Sequence, residues 1–331
     1  MITTDCNKPL RVRVGIIGGA GYTAGELLRL LLNHPDVEIA FIHSASNAGQ
    51  PVTAVHSGLL GETGLHYSSD YRLEDIDVLF LCSAHGHSRE FWEQNELPAR
   101  LRVIDLAQDY RDESCGYVYG LPEVNRDRIA VARLVANPGC FATAIQLALL
   151  PAAEAGLLHG DTEVSVTALT GSTGAGVKPG ATTHFSWRQN NLSVYKPFTH
   201  QHLAEIGRTL ARVGGETPVI NFVPMRGDFA RGIFAVCHFD CPLDADEVRR
   251  IYEDFYADAA FTVVASGDID LKQVVNTNKA VISVSKHGRK LLVCCAIDNL
   301  LKGASGQAVE NMNIMLGLDR RAGLRLKPLA F

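Results

Sequence analysis

Val12-Arg13-Val14-Gly15-Ile16-Ile17-Gly18-Gly19-Ala20-Gly21-Tyr22-Thr23-Ala24-Gly25 joins a short β-branched run to a glycine-rich turn, and residues 26–32 continue it as an apolar helical stretch. Within it, Gly18-x-x-Gly21-x-x-Ala24 is a variant of the dinucleotide-binding fingerprint. Glycine lets the backbone approach a pyrophosphate, and the free amides of a helix start supply donors. The strand–turn–helix setting predicts a cofactor loop that includes Gly18, Gly21, Tyr22, Thr23 and Ala24. Asn33-His34-Pro35 stops the helix, and residues 37–43 read as the next strand.

An NAD enzyme usually carries Asp or Glu at the end of that second strand to hold the ribose 2′-hydroxyl. Here the segment is Ser44-Ala45-Ser46-Asn47. No carboxylate repels a 2′-phosphate and the hydroxyls of Ser44 and Ser46 can donate to one, so NADP is expected over NAD. Residues 78–82 and 103–106 are further strands, each followed by polar or turn residues. Strand–helix alternation over the first 135 or so residues predicts an α/β Rossmann domain, a doubly wound parallel sheet.

After Asn137-Pro138-Gly139 the pattern changes. Residues 140–155 are rich in Ala and Leu and read as a helix, with Pro151 expected to end or kink it. Strands are read at 162–169, 219–223, 232–239, 280–285 and 290–297, with a helix at 244–256 between them and a final helix at 303–316. This half reads as a mixed sheet with helices. Residues 170–200, rich in Gly, Ser, Thr and Asn, are too long for a simple connection, which points to function.

With 331 residues, two domains are expected. A hydrophobic share of 47% and a charged share of 20% fit a folded enzyme and not a disordered chain. A net charge of −5 gives no electrostatic reason to expect nucleic acid or an anionic membrane as partner. The N-terminus has no apolar signal core and no run reaches membrane-span length, so the expected location is cytoplasmic.

Eight cysteines stand at 6, 82, 115, 140, 237, 241, 294 and 295, without a CxxC pair, and no metal site is expected. Most read as small buried hydrophobes, Cys82 and Cys237 above all. Cys140 is different. It follows Asn137-Pro138-Gly139 and opens a helix, where free amides and the helix dipole stabilise a thiolate. A cysteine nucleophile needs a proton carrier, and Phe198-Thr199-His200-Gln201-His202 is the densest histidine stretch. His85 and His87 rank below these two.

These strings resemble, along almost all of the chain, the N-acetyl-γ-glutamyl-phosphate reductases of arginine biosynthesis, relatives of the aspartate-semialdehyde dehydrogenases. The resemblance rests on GGAGYTAGELLRLL, SASNAG, LCSAHGHS, IDLAQDYR, NPGCFATAIQLAL, TGSTGAG, FTHQHLAEI, FVPMRGDFARGIF and DNLLKGASGQAVENMNIMLG. It implies NADPH-dependent reduction of an N-acyl-γ-glutamyl phosphate to the semialdehyde through a thioacyl intermediate on Cys140. His202 is then the favoured acid/base, with His200 close behind. The cofactor side gains Ser83, Gly176 and Asn299, the last on the nicotinamide carboxamide; Ser172, Arg111 and Arg231 fall to the substrate, with Lys178 a weaker candidate.

The family's organisation implies residues 1–139 with 303–331 as the NADP-binding domain, and 140–302 as a catalytic and oligomerisation domain of a homodimer or homotetramer. The sequence also departs from the family pattern. His200-Gln201-His202 lacks the usual central arginine, Phe141 replaces a common tyrosine, and DLAQDYR replaces DLSxxFR. The lost serine and arginine point to a different acyl group, such as succinyl. The rival readings are the aminoadipate-branch reductase of lysine synthesis, an aspartate-semialdehyde type of dehydrogenase, and a non-catalytic NADP-binding regulator.

Overall fold

The computed structural model of the chain describes residues 11–83 and 86–329; Cys6, His85 and the outermost residues of the expected first domain lie outside the described residues. The first sheet is built from β1 (Val12–Ile17), β2 (Val37–His43), β3 (Val78–Leu81), β4 (Arg102–Asp105), β5 (Val118–Tyr119) and β6 (Leu134–Ala136). All its pairs are parallel, in the order β2-β1-β3-β4-β6-β5. Helices α1 (Tyr22–Leu31), α2 (His87–Gln94) and α3 (Pro122–Val131) connect the strands. Leu27, Leu28, Leu30 and Leu31 seat α1 in the core beside Val14 and Ile16. Each such leucine is worth about 1.5–3 kcal/mol of burial.

Strand order reverses between β1 and β3, and ligands of such sheets bind at the strand carboxyl ends where that happens. There Gly18, at φ +82°, packs so closely on the end of β3 that a Cβ would lie 2.8 Å from the Cys82 carbonyl oxygen. Glycine is required for both the dihedral and the contact.

The second sheet is mixed, in the order β11-β12-β13-β10-β7-β9-β8. Its strands are β7 (Glu163–Thr170), β8 (Ser193–Val194), β9 (Val219–Arg226), β10 (Ile233–Asp240), β11 (Thr262–Val264), β12 (Ala280–His287) and β13 (Lys290–Ile297). Helix α4 (Cys140–Glu154) lies across it with α6 (His202–Gly214) and α7 (Ala245–Phe255); α5 (Phe185–Arg188) is a single turn inside the long 170–200 segment. Residues 141–153 of α4 are all buried, as an all-round apolar helix must be.

Of the two outcomes expected at Pro151, an end or a kink, the end is not found: α4 runs on to Glu154. Proline cannot donate to the carbonyl four residues back, and the Tyr256 hydroxyl donates to that Leu147 carbonyl instead, at 2.5 Å. The last helix begins as one π-turn (Leu301–Ser305) and continues as α8 (Gly306–Leu316). Leu301, Ala308, Val309 and Met312 join the hydrophobic cluster of the first sheet. No helix among the described residues is long and apolar enough to cross a membrane.

Candidate active site

Strand β6 delivers the chain to Asn137-Pro138-Gly139, and α4 starts at Cys140 with Gly139 as its cap residue. Two glycines make room around the cysteine. At Gly139 a Cβ would run into His202 Nε2 and lie 2.7 Å from Arg111 Nη1. At Gly303 it would lie 2.9 Å from Cys140 Cβ. The imidazole of His202 and the guanidinium of Arg111 therefore rest on the α-carbon adjoining Cys140. The π-turn before α8 closes over the same residue.

Glu205 ties this group together. One turn into α6 and buried, its Oε1 accepts from Arg111 Nη1 at 3.1 Å and lies 3.9 Å from His202 Nε2. Its Oε2 accepts from the Gly139 amide at 3.1 Å and from the Tyr119 hydroxyl at 2.7 Å. Arg111 also donates to the carbonyls of Asn137 (2.9 Å) and Leu106 (3.1 Å). Breaking a buried pair of this kind typically costs about 3–5 kcal/mol, because one charge is left uncompensated. Sequence reading missed Glu205 as a functional residue, although its place three residues after His202 puts both on one helix face. Nothing local in the sequence marked Tyr119.

The two histidines have different surroundings. His200 is buried among Phe141, Tyr195 and Phe222. Its Nδ1 accepts the His202 backbone N–H at 3.2 Å, so that nitrogen carries no proton. Burial, helped by the positive charge of Lys196, pushes its pKa down to about 4. His200 thus serves as a neutral cap at the start of α6, while His202 faces Gly139 and Glu205.

One expectation needs correction at Cys140. The helix start does help the thiolate, through the Phe141 amide and the charge of Arg111, but burial outweighs both and pushes the thiol pKa up. Cys82, pushed up to about 12, and Cys237 and Cys295, also raised by burial, behave as buried thiols.

Arg231, expected on the substrate side, is held by carboxylates. Its guanidinium makes four hydrogen bonds, to both oxygens of Glu26 on α1 and both of Asp298 after β13, at 2.9–3.2 Å. With two carboxylates as partners, it clamps the first sheet's helix to the second sheet. The adjoining Ala230 carbonyl accepts from the Thr173 amide and hydroxyl, so the clamp also holds the loop that contains Gly171, Ser172 and Gly176. Asn299 pins the same loop: Oδ1 accepts from Gly232 N at 2.7 Å and Nδ2 donates to Thr173 Oγ1 at 3.0 Å. Ser172 is half-buried, Gly176 is exposed at φ +83°, and Lys178 is exposed.

On the cofactor side, Gly21 caps α1 with no side chain satisfying the first amides and no acidic residue in the first turn. A Cβ on Gly21 would meet nothing closer than 3.9 Å. An open, uncapped helix start fits a pyrophosphate. Ala24 is buried, Tyr22 is exposed at the start of α1, and the Thr23 carbonyl accepts from Ser305 Oγ. The Ser44 and Ser46 hydroxyls both accept from Asn47 Nδ2, at 2.9 and 3.0 Å, in a turn just past β2. Ser83 borders Gly18.

A cavity of about 390 Å³ opens beside the Arg111–Glu205 pair, lined also by Arg89, Gln108, Gln201 and Arg208. A second cavity of about 420 Å³ lies between α3 and Arg320 and has none of the residues around Cys140 in its wall.

Comparison with known proteins agrees with this layout. Residues 13–132 match the family described as semialdehyde dehydrogenase, NAD binding domain, and residues 140–299 match semialdehyde dehydrogenase, dimerisation domain. A protein of Parabacteroides distasonis named N-acetyl-gamma-glutamyl-phosphate reductase is 57% identical over 97% of this chain and all of its own length. Proteins of the same name from Phocaeicola vulgatus and Flavobacterium johnsoniae are 56% and 47% identical, each over 97% of this chain and all of their own length. Among solved structures, aspartate semialdehyde dehydrogenase II of Vibrio cholerae superposes with a TM-score of 0.73 at 16% identity, covering 93% of this chain and 99% of its own. An NADP complex of the Candida albicans aspartate semialdehyde dehydrogenase gives 0.67 at 13% identity, covering 95% and 99%. At such identities the structures speak for the fold alone.

Proposed function

Because the chain belongs to the N-acetyl-γ-glutamyl-phosphate reductase family, we propose that it reduces an N-acyl-γ-glutamyl phosphate to the N-acyl-glutamate semialdehyde, with Cys140 as nucleophile and NADPH as reductant. The observation that carries this reading is the convergence of His202, Arg111 and Glu205 on Gly139, next to the cysteine that opens α4. Such a constellation has the parts acyl transfer needs: a thiol, a proton carrier and a cation for the leaving group.

The raised thiol pKa gives His202 its task. In the free enzyme the thiol keeps its proton, so attack begins as His202 takes that proton and Sγ adds to the acyl carbon. The C–O bond to phosphate then breaks, and phosphate departs with the proton from His202, leaving a thioester on Cys140. Arg111 has two N–H groups beyond its bonds to Asn137, Leu106 and Glu205, and these suit the departing phosphate. Glu205 holds Arg111 in place and steadies His202 as it becomes positive.

The nicotinamide, when bound, supplies the hydride that reduces the thioester carbon. Gly18, Gly21, Tyr22, Thr23 and Ala24 would hold the pyrophosphate side, Ser44 and Ser46 the 2′-phosphate, and Ser83, Gly176 and Asn299 the nicotinamide side. As the carbon–sulfur bond then breaks, His202, reloaded from solvent, returns a proton to sulfur. Each turnover consumes one proton. Residues 1–139 with 303–331 act as the cofactor domain and 140–302 as the catalytic domain of a cytoplasmic homodimer or homotetramer.

The test is the reverse reaction: N-acetyl- and N-succinyl-glutamate semialdehyde with phosphate, using NADP and then NAD. The expected result is phosphate-dependent nucleotide reduction, at least tenfold faster in kcat/KM with NADP. No turnover with either semialdehyde would overturn the proposed reaction, and equal efficiency with NAD would overturn the cofactor assignment.

A further inference from the structure

Arg111, Arg188, Arg226 and Arg231 differ in how their charge is used. Arg111 is paired with Glu205, and Arg231 with Glu26 and Asp298. Arg188, buried, spends its guanidinium on the Asn191, Arg226 and Thr182 carbonyls and on Ser193 Oγ. Arg226 is paired with no carboxylate among the described residues, and its Nε is buried with no acceptor.

Strand geometry fixes where Arg226 points. It is the last residue of β9, opposite Thr170 on β7 and Ser193 on β8. Side chains two apart share a face, so Arg226 shares one with Phe222 and Pro224. Phe222 packs on Phe141, the residue after Cys140, and on His200. The guanidinium carbon stands 4.5 Å from the centre of the Tyr195 ring, and that ring in turn packs on Phe141 and His200. His200 feels the charge of Arg226, and the Tyr195 phenol feels those of Cys140 and Arg226. The Tyr195 phenol also hydrogen-bonds this guanidinium; the N–H groups left over on the half-buried cation suit a planar anion, and carboxylate is the matching shape.

We infer that Arg226, backed by Tyr195, is a specificity-determining subsite that binds a carboxylate of the substrate, separate from the Arg111 side that receives the phosphate. This rests on the proposed reaction, whose substrate offers two sources of that group: the α-carboxylate of the glutamyl unit, or a carboxylate carried by the acyl group itself. Arg226 makes its contact in the ground state and the transition state alike, so its loss raises KM more than it lowers kcat.

The test measures binding without turnover. N-acetylglutamate and N-succinylglutamate, which cannot react, are titrated calorimetrically into the full-length wild type, Arg226→Met and Arg226→Lys. The expected result is at least tenfold weaker binding to R226M and three- to tenfold weaker binding to R226K, which keeps the charge and loses the planar fork. Loss for both ligands assigns the α-carboxylate; loss for the succinyl ligand alone assigns the acyl carboxylate. Binding of both ligands to R226M within twofold of wild type overturns the subsite. Should R226M not fold, unchanged affinity in R226K overturns it equally. Wild type that binds these ligands in an Arg226-dependent way but reduces neither acyl phosphate overturns the proposed reaction and leaves the subsite standing.

Discussion

Replacing Gly139 by alanine tests the geometry around Cys140 with one methyl group. Gly139 has φ −72° and ψ 151°, a conformation that alanine adopts without strain, so the effect comes from contact alone. The new Cβ would press on His202 Nε2, 2.6 Å from His202 Cε1 and 2.7 Å from Arg111 Nη1. Packed heavy atoms sit about 3.5–4.0 Å apart, so the imidazole and guanidinium must withdraw by about 1 Å. Misplacing a catalytic group by about 1 Å costs on the order of 100-fold in rate, and overpacking costs about 1–3 kcal/mol of stability. Nucleotide absorbance in the phosphate-dependent oxidation of the semialdehyde gives the first number, and chemical denaturation the second. Activity within threefold of wild type, in a variant whose fold is intact, would refute the placement of His202 and Arg111 against Gly139.

Further outcomes follow from the same contacts. Burial holds the Cys140 thiol above its ordinary value, so alkylation of the free enzyme by iodoacetamide should keep accelerating with no plateau below about pH 8.5; a plateau near neutrality would contradict the half-buried, protonated thiol. His200 titrates at about 6.5 in the unfolded chain and at about 4 in the folded one. Its neutral form is therefore favoured by folding, and the stability it contributes is complete above pH 6.5 and lost as pH falls toward 4. The loss is about 1–2 kcal/mol after solvent screening; denaturation curves at pH 7 and pH 5 should show it, and His200→Asn should reduce it. Lys302, fully buried, lies 2.8 Å from Glu123 and 3.1 Å from Glu310. Lys302→Met should destabilise by about 3–5 kcal/mol by stranding those carboxylates, and a change below about 1 kcal/mol would show that the network has reorganised.

The features legible in the sequence are those set by neighbours along the chain. The fingerprint from Gly18 to Ala24, the helix opening at Cys140 and the alternation of strands and helices each lie within a few residues, so composition and spacing expose them. What stayed hidden depends on pairing across long separations. Glu205 gains its role only when α6 is laid on the start of α4, and Tyr119 only when β5 joins the edge of the first sheet. Arg231 stands in a motif that reads as substrate-binding, yet Glu26, 205 residues away, and Asp298 neutralise it. Pro151 is tolerated inside α4 because the Tyr256 hydroxyl, just past the end of α7, replaces the missing donor. Arg226 was passed over because the strand was expected to end at residue 223, three residues short of the position that faces Phe222 and Tyr195.

The central claim is a covalent acyl group on Cys140. Its most direct test is mass spectrometry of the protein mixed with N-acyl-glutamate semialdehyde and NADP in the absence of phosphate. The account predicts a single acyl adduct on the peptide that carries Cys140, absent from Cys140→Ser and discharged when phosphate is added. An unmodified Cys140 peptide, or phosphate-dependent turnover retained in Cys140→Ser, would contradict it.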